Sequence, residues 1–446
     1  MIRTALVASL ALIAGPRLLA VETFQPTDFG GSPIIIGAGA RALGMGGAFV
    51  AVADDATANT WNPGGLTQLE RPEFAATGGY SRREDHGQDT VTTDSFALDH
   101  ASVVVPFQLG VPQTVALAWQ RQLDFTKAVS FVQRESLPDE ELVSRTQLEQ
   151  EGSFAAWGLS YAIEPSPRLA LGATVYLWDD DLTGASAYEQ DFRRVVTDTI
   201  TLPPDPPVTS VDDLQNHQRV EVDRGFSVVL GGLYRATPAL TLGVVIKPRY
   251  RLETVQSTRS RQRTDDGFGG GGTDITTNTR SRSTLQMPTS VALGAAYRLG
   301  DLRTISVDVT WTRWRELLVR NGASEASPLH SQLEPDDQDD GIAVRAGYEH
   351  ILLFSSFALV PRCGVLYEEI PGVGAVPSLA QATSVHAVTD RYYGVTVGLS
   401  AFQSNVLYDL AAQMRYGPDL GWQSGAPDEE SDVLGFVVRG GVSYLF

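Results

Sequence analysis

Gly37–Leu66, GAGARALGMGGAFVAVADDATANTWNPGGL, decides how the rest of the chain is read. Seven glycines (Gly37, Gly39, Gly44, Gly46, Gly47, Gly64 and Gly65) and many alanines share it with one large ring, Trp61. Such a segment has little bulk from which to build a core of its own, and its glycines let backbone approach backbone closely. It needs walls supplied by other residues, so it is read as a plug inside a β-barrel made by the remainder. The competing reading is a dinucleotide fingerprint: Ile34-Ile35-Ile36 runs into Gly37-x-Gly39-x-x-Ala42. That motif has meaning only inside a βαβ unit with an acidic residue roughly 20 positions on. Asp54 and Asp55 come too early, and no strand–helix alternation follows.

The 446-residue chain opens with Met1-Ile2-Arg3, an apolar run from Ala5 to Ala14, then Pro16 and Ala20. This is the charge–apolar–small layout of a secretory leader, here residues 1–20. No later run reaches the length of about 18 apolar residues that a spanning helix needs. The single cysteine, Cys363, rules out an internal disulfide framework and any CxxC site. A net charge of −19 argues against nucleic acid or an anionic membrane surface as a partner.

From Glu73 onward polarity alternates with period two. Ala155, Trp157, Leu159, Tyr161 and Ile163 oppose Phe154, Ala156, Gly158, Ser160 and Ala162; Leu240, Leu242, Val244 and Ile246 oppose Thr241, Gly243 and Lys247. That period means strands. Fourteen are read, at 73–83, 95–107, 113–124, 152–164, 168–179, 219–235, 239–257, 280–299, 302–317, 341–350, 355–369, 390–402, 405–416 and 434–446. Short connections such as Pro165-Ser166-Pro167 and Gln403-Ser404 alternate with long polar ones at 84–94, 125–151, 180–218, 258–279, 318–340, 370–389 and 417–433. Strict short–long alternation is the mark of an outer-membrane barrel, with turns at one end and outer loops at the other. The expected fold is therefore all-β: a 14-stranded antiparallel transmembrane β-barrel, residues 73–446, with an N-terminal hatch at 21–72 inside its lumen. A last strand ending at Phe446 fits recognition by barrel-assembly machinery during insertion.

The residues at this point resemble the FadL family of outer-membrane transporters for long-chain fatty acids and other hydrophobic compounds. Ala53-Asp54-Asp55-Ala56 and Trp61-Asn62-Pro63-Gly64-Gly65-Leu66 carry the N-terminal match, with Gly64 where the family usually has alanine. Met287-Pro288-Thr289-Ser290-Val291-Ala292-Leu293-Gly294 begins a second match that continues through Asp308, Trp311 and Trp314, Gly347-Tyr348-Glu349 and Tyr392-Tyr393-Gly394. The resemblance implies passive uptake of a hydrophobic small molecule, either a long-chain fatty acid or an aromatic or aliphatic hydrocarbon. The ligand passes an apolar lumen, moves the hatch and leaves through a kink in the third strand, with no cofactor and no catalysis. It places the protein in the bacterial outer membrane as a monomer, surrounded by lipid and lipopolysaccharide. Two departures stand out. The third strand has no internal glycine or proline after Pro112, and the fourth long loop, with Gly267 and Gly269 to Gly272, is too polar for a greasy entry groove.

Asn62 and Pro63 fit a tight turn that sets the plug's position. Asp54 and Asp55 either pair with lumenal arginines or cap a short helix near Ala56, capping being favoured. A fatty-acid carboxylate needs a cation in an apolar pocket. Strand parity turns Lys247, Arg249, Arg345, Arg362 and Arg439 inward, together with Asp308, Glu349 and Asp409. Pairing among themselves is the commoner fate of such charges. Pro248 and Pro361 remove ladder hydrogen bonds in mid-strand, which fits either a wall irregularity or, more commonly, a place near a rim. The acidic runs at 179–181, 334–340 and 428–432 lack EF-hand spacing, so no metal site is expected. Two rivals remain: a barrel that docks partners in protein secretion, since such barrels share the ADDA…NP beginning, and a barrel hydrolase using His100 with a serine.

Overall fold

The computed structural model describes residues 34–87, 90–201, 203–204, 206–267, 272–322, 324–330, 333–334, 336–376, 384–420 and 431–446. The leader expected at 1–20 lies outside them. Fourteen strands of the described residues close into one antiparallel cylinder. They are β1 (Glu73–His86), β2 (Thr90–Leu109), β3 (Val111–Asp124), β4 (Glu140–Ser166), β5 (Leu169–Trp178) and β6 (Val208–Arg235). Then come β7 (Leu240–Lys247 and Tyr250–Asp265), β8 (Thr273–Met287 and Ser290–Arg298), β9 (Arg303–Thr312) and β10 (Gly341–His350). The wall ends with β11 (Ala358–Val376), β12 (Ser384–Gln403), β13 (Val406–Leu420) and β14 (Ser431–Leu445). Each pairs with its sequence neighbour, and β14 returns to β1 from Glu73↔Leu445 to His86↔Asp432. Closure removes the sheet edges that an open sheet would expose. The seam is finished where the Phe446 amide donates to the Pro72 carbonyl at 2.9 Å.

Alternation does what the sequence pattern requires. Leu159, Leu171, Leu230, Val244, Leu293, Val309 and Val397 are exposed on the outer surface, while Ala162, Thr174, Val245 and Thr396, at alternating positions, are buried inward. An apolar outside and a small or polar inside is the arrangement a lipid-embedded barrel demands. No described helix is long and apolar enough to cross a membrane.

Three segments expected as long polar loops are strands instead. Lys127–Leu137 pairs with the first half of β4, Ala187–Ile200 bridges β4 and β6, and β7 and β8 run on as a hairpin to Asp265 and Thr273. The result is a six-stranded curled sheet standing beyond the outer end of the wall. Its own period-two pattern explains it: Leu142, Ser144, Thr146, Leu148 and Gln150 are buried, while Arg145, Gln147 and Glu149 are exposed. Polarity there reports the absence of lipid, not the absence of strand.

Residues 37–69 lie inside the cylinder, with short helices at Ala40–Gly44 and Ala58–Trp61 and a 3-10 turn at Pro63–Gln68. Their fit depends on wall glycines. A Cβ added to Gly172 would sit 2.4 Å from the Pro63 carbonyl carbon, at Gly243 2.5 Å from the Val50 oxygen, and at Gly347 2.4 Å from the Met45 oxygen. The same holds at Gly364, 2.4 Å from the Gly46 nitrogen. Gly243 faces Gly294 across one strand pair and Gly347 faces Gly364 across another, so the wall offers bare backbone in patches.

Candidate functional site

The inner segment is positioned by the residues singled out in its sequence, though not all in the expected way. Asn62 Oδ1 accepts from the Gly64 amide at 3.1 Å, forming the Asn-Pro turn. Its Nδ2 donates to the carbonyls of Val50 (2.8 Å) and Gly232 (3.1 Å), tying the turn to the wall. Pro63 opens the 3-10 turn, where no amide is needed. Gly64 passes so close to β5 and β6 that a Cβ would meet the Ala170 and Gly231 carbonyl oxygens at 3.1 and 3.2 Å. Trp61 donates its indole N–H to Ala38 at 2.8 Å and packs on Gly37.

Asp54 and Asp55 do not cap the helix at Ala58; Thr57 stands at its N-cap without a side-chain bond. Asp55 instead accepts from the Thr57 amide at 2.9 Å, an Asx-type turn ahead of the helix, and Asp54 pairs with Arg41. Arg41 had no role in the sequence reading, yet it joins the inner segment to the wall by donating to both oxygens of Glu349, at 3.0 and 3.1 Å. Glu349 also takes Arg362 at 2.7 Å, and Arg362 lies 3.6 Å from Asp409. The expected ladder of lumenal ion pairs therefore exists and includes Arg362. Removing one member of such a buried set leaves an unpaired charge, at about 3–5 kcal/mol.

The remaining basic residues divide. Arg249 is not lumenal: β7 breaks at Pro248, parity is lost, and its side chain is 62% exposed, 4.0 Å from Glu316. Pro288 interrupts β8 at the same level, whereas Pro361 stays in register opposite Leu399. Arg345 faces inward but is held by Glu368 and by Thr310 at 3.4 Å. Arg439 donates to Asp99 at 2.9 Å and to the Gly37 carbonyl at 2.7 Å, so it holds the start of the inner segment. Lys247 faces inward and has no acidic or hydrogen-bonding partner among the described residues; the charge acting on it is the like charge of Arg345.

Lys247 lines a cavity of about 360 Å³ above the inner segment, together with Trp61, Tyr250, Met287, Trp314 and Leu366. The lining also includes Ile34–Ile36 and Gln122–Asp124, beside the place where β2 and β3 part. These strands pair from Leu109↔Val111 to His100↔Gln120 and then part. Beyond that point Leu123 and Asp124 of β3 pair with Ile35 and Ile34, and the Ile36 amide donates to the Gln122 carbonyl at 2.9 Å. Three isoleucines from the inner segment thus stand where β2 would have continued, and Ile35 is 60% exposed. Two bulges produce the parting: Gln122 is extra between β3 and β4, and Asp99 is extra between β1 and β2. A bulge bends its strand without needing glycine or proline, which is why their absence from β3 did not preserve a straight wall. Asp99 then receives Arg121 at 2.9 Å and Arg439 at 2.9 Å, and Arg121 reaches Asp124 at 3.1 Å.

Asp99 and Arg121 were not among the expected site residues. The signal was available: Val115, Leu117 and Trp119 take the lipid-facing parity, and Arg121 comes next on that face. A guanidinium there is costly in lipid, so the strand must turn it inward. His100 is fully buried, with Nε2 3.2 Å from Asn59 Oδ1.

No family model and no curated protein matches the chain. Its fold is that of solved FadL-type barrels. A Pseudomonas aeruginosa FadL homologue superposes with a TM-score of 0.57 at 13% identity, covering 93% of this chain and 100% of that one. The CymD monoaromatic hydrocarbon channel gives 0.54 at 14% identity, with 93% and 99% covered. The Ralstonia pickettii toluene transporter TbuX gives 0.52 at 14%, with 92% and 98% covered.

Proposed function

We propose that this chain is a FadL-type channel of the bacterial outer membrane that takes up hydrophobic small molecules without a cofactor and without catalysis. Residues 1–20 are its export leader, 21–72 its hatch and 73–446 its wall. The observation that carries the reading is a cavity whose lining includes Ile34–Ile36, the short strand that stands where β2 and β3 part. A ligand resting against Trp61, Met287 and Trp314 leaves by displacing that short strand and passing sideways into the membrane. A ladder of two residue pairs and the Ile36–Gln122 hydrogen bond hold it to β3, a short contact whose release disturbs little of the wall. Unpartnered Lys247 suits a ligand with an anionic end, which extends the ligand class from hydrocarbons of the kind named for CymD and TbuX to fatty acids. The test is uptake into liposomes of labelled long-chain fatty acid, alkane and monoaromatic compound. Saturable uptake of at least one class, raised by deleting Ile34–Ile36, the strand that closes the exit, is the expected result. No saturable uptake of any class sinks the reading.

A further inference from the structure

The outer sheet meets the membrane at a cluster of arginines. Phe226 of β6 is 59% exposed and belongs to the apolar girdle with its cross-strand neighbour Leu177. On its other side it stands opposite Arg251 of β7. The next outward position on β6 is Arg224, and on the outer hairpin Arg282 and Arg280 of β8 stand opposite Val255 and Ser257, with Arg259 one step further along β7. Arg251 and Arg224 stand where the apolar surface gives way to polar, beside exposed Phe226, and Arg282, Arg280 and Arg259 follow progressively farther outward along the hairpin.

Their charge is not cancelled. Arg224 pairs with Glu253 at 2.8 Å and Arg280 reaches Glu221 at 3.6 Å. Arg251, Arg259 and Arg282 are exposed and have no ion-pair or hydrogen-bond partner among the described residues. The hairpin from Tyr250 to Met287 carries six arginines against four acids in a chain whose net charge is −19. One of those acids, Asp274, is spent far from the membrane on Arg261 and Arg263.

Accepting the membrane placement proposed above, we propose that this face binds the phosphate groups of a phosphorylated glycolipid in the outer leaflet. Guanidinium groups match phosphate oxygens two at a time. A free anion in water meets the same arginines but gains no apolar contact beside them. A lipid instead lays its acyl chains on Phe226, Leu177 and Leu230 while its headgroup reaches the arginines, so apolar and ionic contacts add on one molecule.

The full chain, purified from outer membranes in mild detergent, is examined by native mass spectrometry beside a triple variant, R251Q/R259Q/R282Q. A control, R298Q/R303Q, removes exposed arginines at the opposite, short-turn end. Folding of each is verified by heat-modifiable gel migration. Phosphorylated glycolipid is retained by the parent and the control, and the triple variant binds it about a hundredfold more weakly. Equal retention by the triple variant overturns the proposal, as does equal retention of the same glycolipid stripped of its phosphates. A thermal shift with inorganic phosphate alone that matches the lipid's also overturns it, because an aqueous anion then suffices. A protein that retains the lipid and transports nothing leaves this proposal standing and sinks the transport reading instead.

Discussion

Two sides of the same lumen hold the inner segment by different means. Along β5–β8 and β10–β12 the closest contacts are backbone on backbone, through Gly172, Gly243, Gly347 and Gly364, reinforced by the Asn62 side chain on β6 and the Arg41–Glu349 pair on β10. Between β2 and β3 the contact is three isoleucines in a short ladder and a set of side-chain ion pairs centred on Asp99. Backbone packing at the first side leaves no room for rotamer adjustment, and nothing can shift alone. The second side depends on side chains and a few hydrogen bonds, which local opening can break and remake. On the function proposed above, the glycine-lined side serves as a mount and the β2–β3 side as a gate, so the plug opens at one side rather than moving as a body.

The largest effect should come from attacking the mount. Gly347→Val pushes a side chain into the Met45 carbonyl, where even a Cβ would lie at 2.4 Å. Overpacking usually costs about 1–3 kcal/mol, and here no flexible side chain yields, so a loss of about 3 kcal/mol or more is expected. Ile35→Ala on the exposed gate strand should stay within about 0.5 kcal/mol. Urea midpoints of the barrel in bilayers measure both. Equal losses at the two positions would erase the distinction between mount and gate.

Locking the gate comes next. In a Cys363→Ser background, Ile35→Cys with Leu123→Cys places two thiols on directly paired residues, within the Cα separation of about 4.4–6.8 Å that a disulfide accepts. Oxidation should lower uptake by about a hundredfold and reduction should restore it, since release of a closing element limits passage. Full uptake by the oxidised protein would move the exit elsewhere in the wall. Asp99→Asn is the milder converse. It strips Arg121 and Arg439 of their shared carboxylate, loosens Gly37, and should raise uptake by about three- to tenfold at a stability cost of about 1–3 kcal/mol.

How far the sequence foretold this depends on what each residue's neighbours were. The closed wall was legible because lipid imposes one rule on every strand, and residues such as Leu159, Val244 and Val309 obey it independently. The Asn62-Pro63 turn was legible because its chemistry is local. The outer sheet was not, since Arg145, Gln147 and Glu149 are polar for lack of lipid while Leu142 and Leu148 still pair as strand. Parity carried Lys247 and Arg345 to the lumen but failed at Arg249, one residue past the Pro248 break. Arg41 was passed over because its partner, Glu349, is 308 positions away. Arg121 was visible as a charge on the wrong face, and only its destination, Asp99, needed three dimensions.

The smallest expected effect lies between mount and gate, at Lys247. Its neighbours Arg345 and Arg415 share Glu368, so their charges are already committed, whereas no described acid faces Lys247. A hydrocarbon gains nothing from that ammonium, while a carboxylate gains a charge-assisted contact in a space shielded from water. Lys247→Gln should therefore weaken fatty-acid binding by about 1 kcal/mol, or about fivefold, and leave monoaromatic binding unchanged. Competition of each ligand class against a fluorescent fatty acid in the purified barrel measures the difference. Loss of both classes alike would make Lys247 a packing element of the cavity, and a gain for both would mean that an unpaired charge is kept there at the ligand's expense.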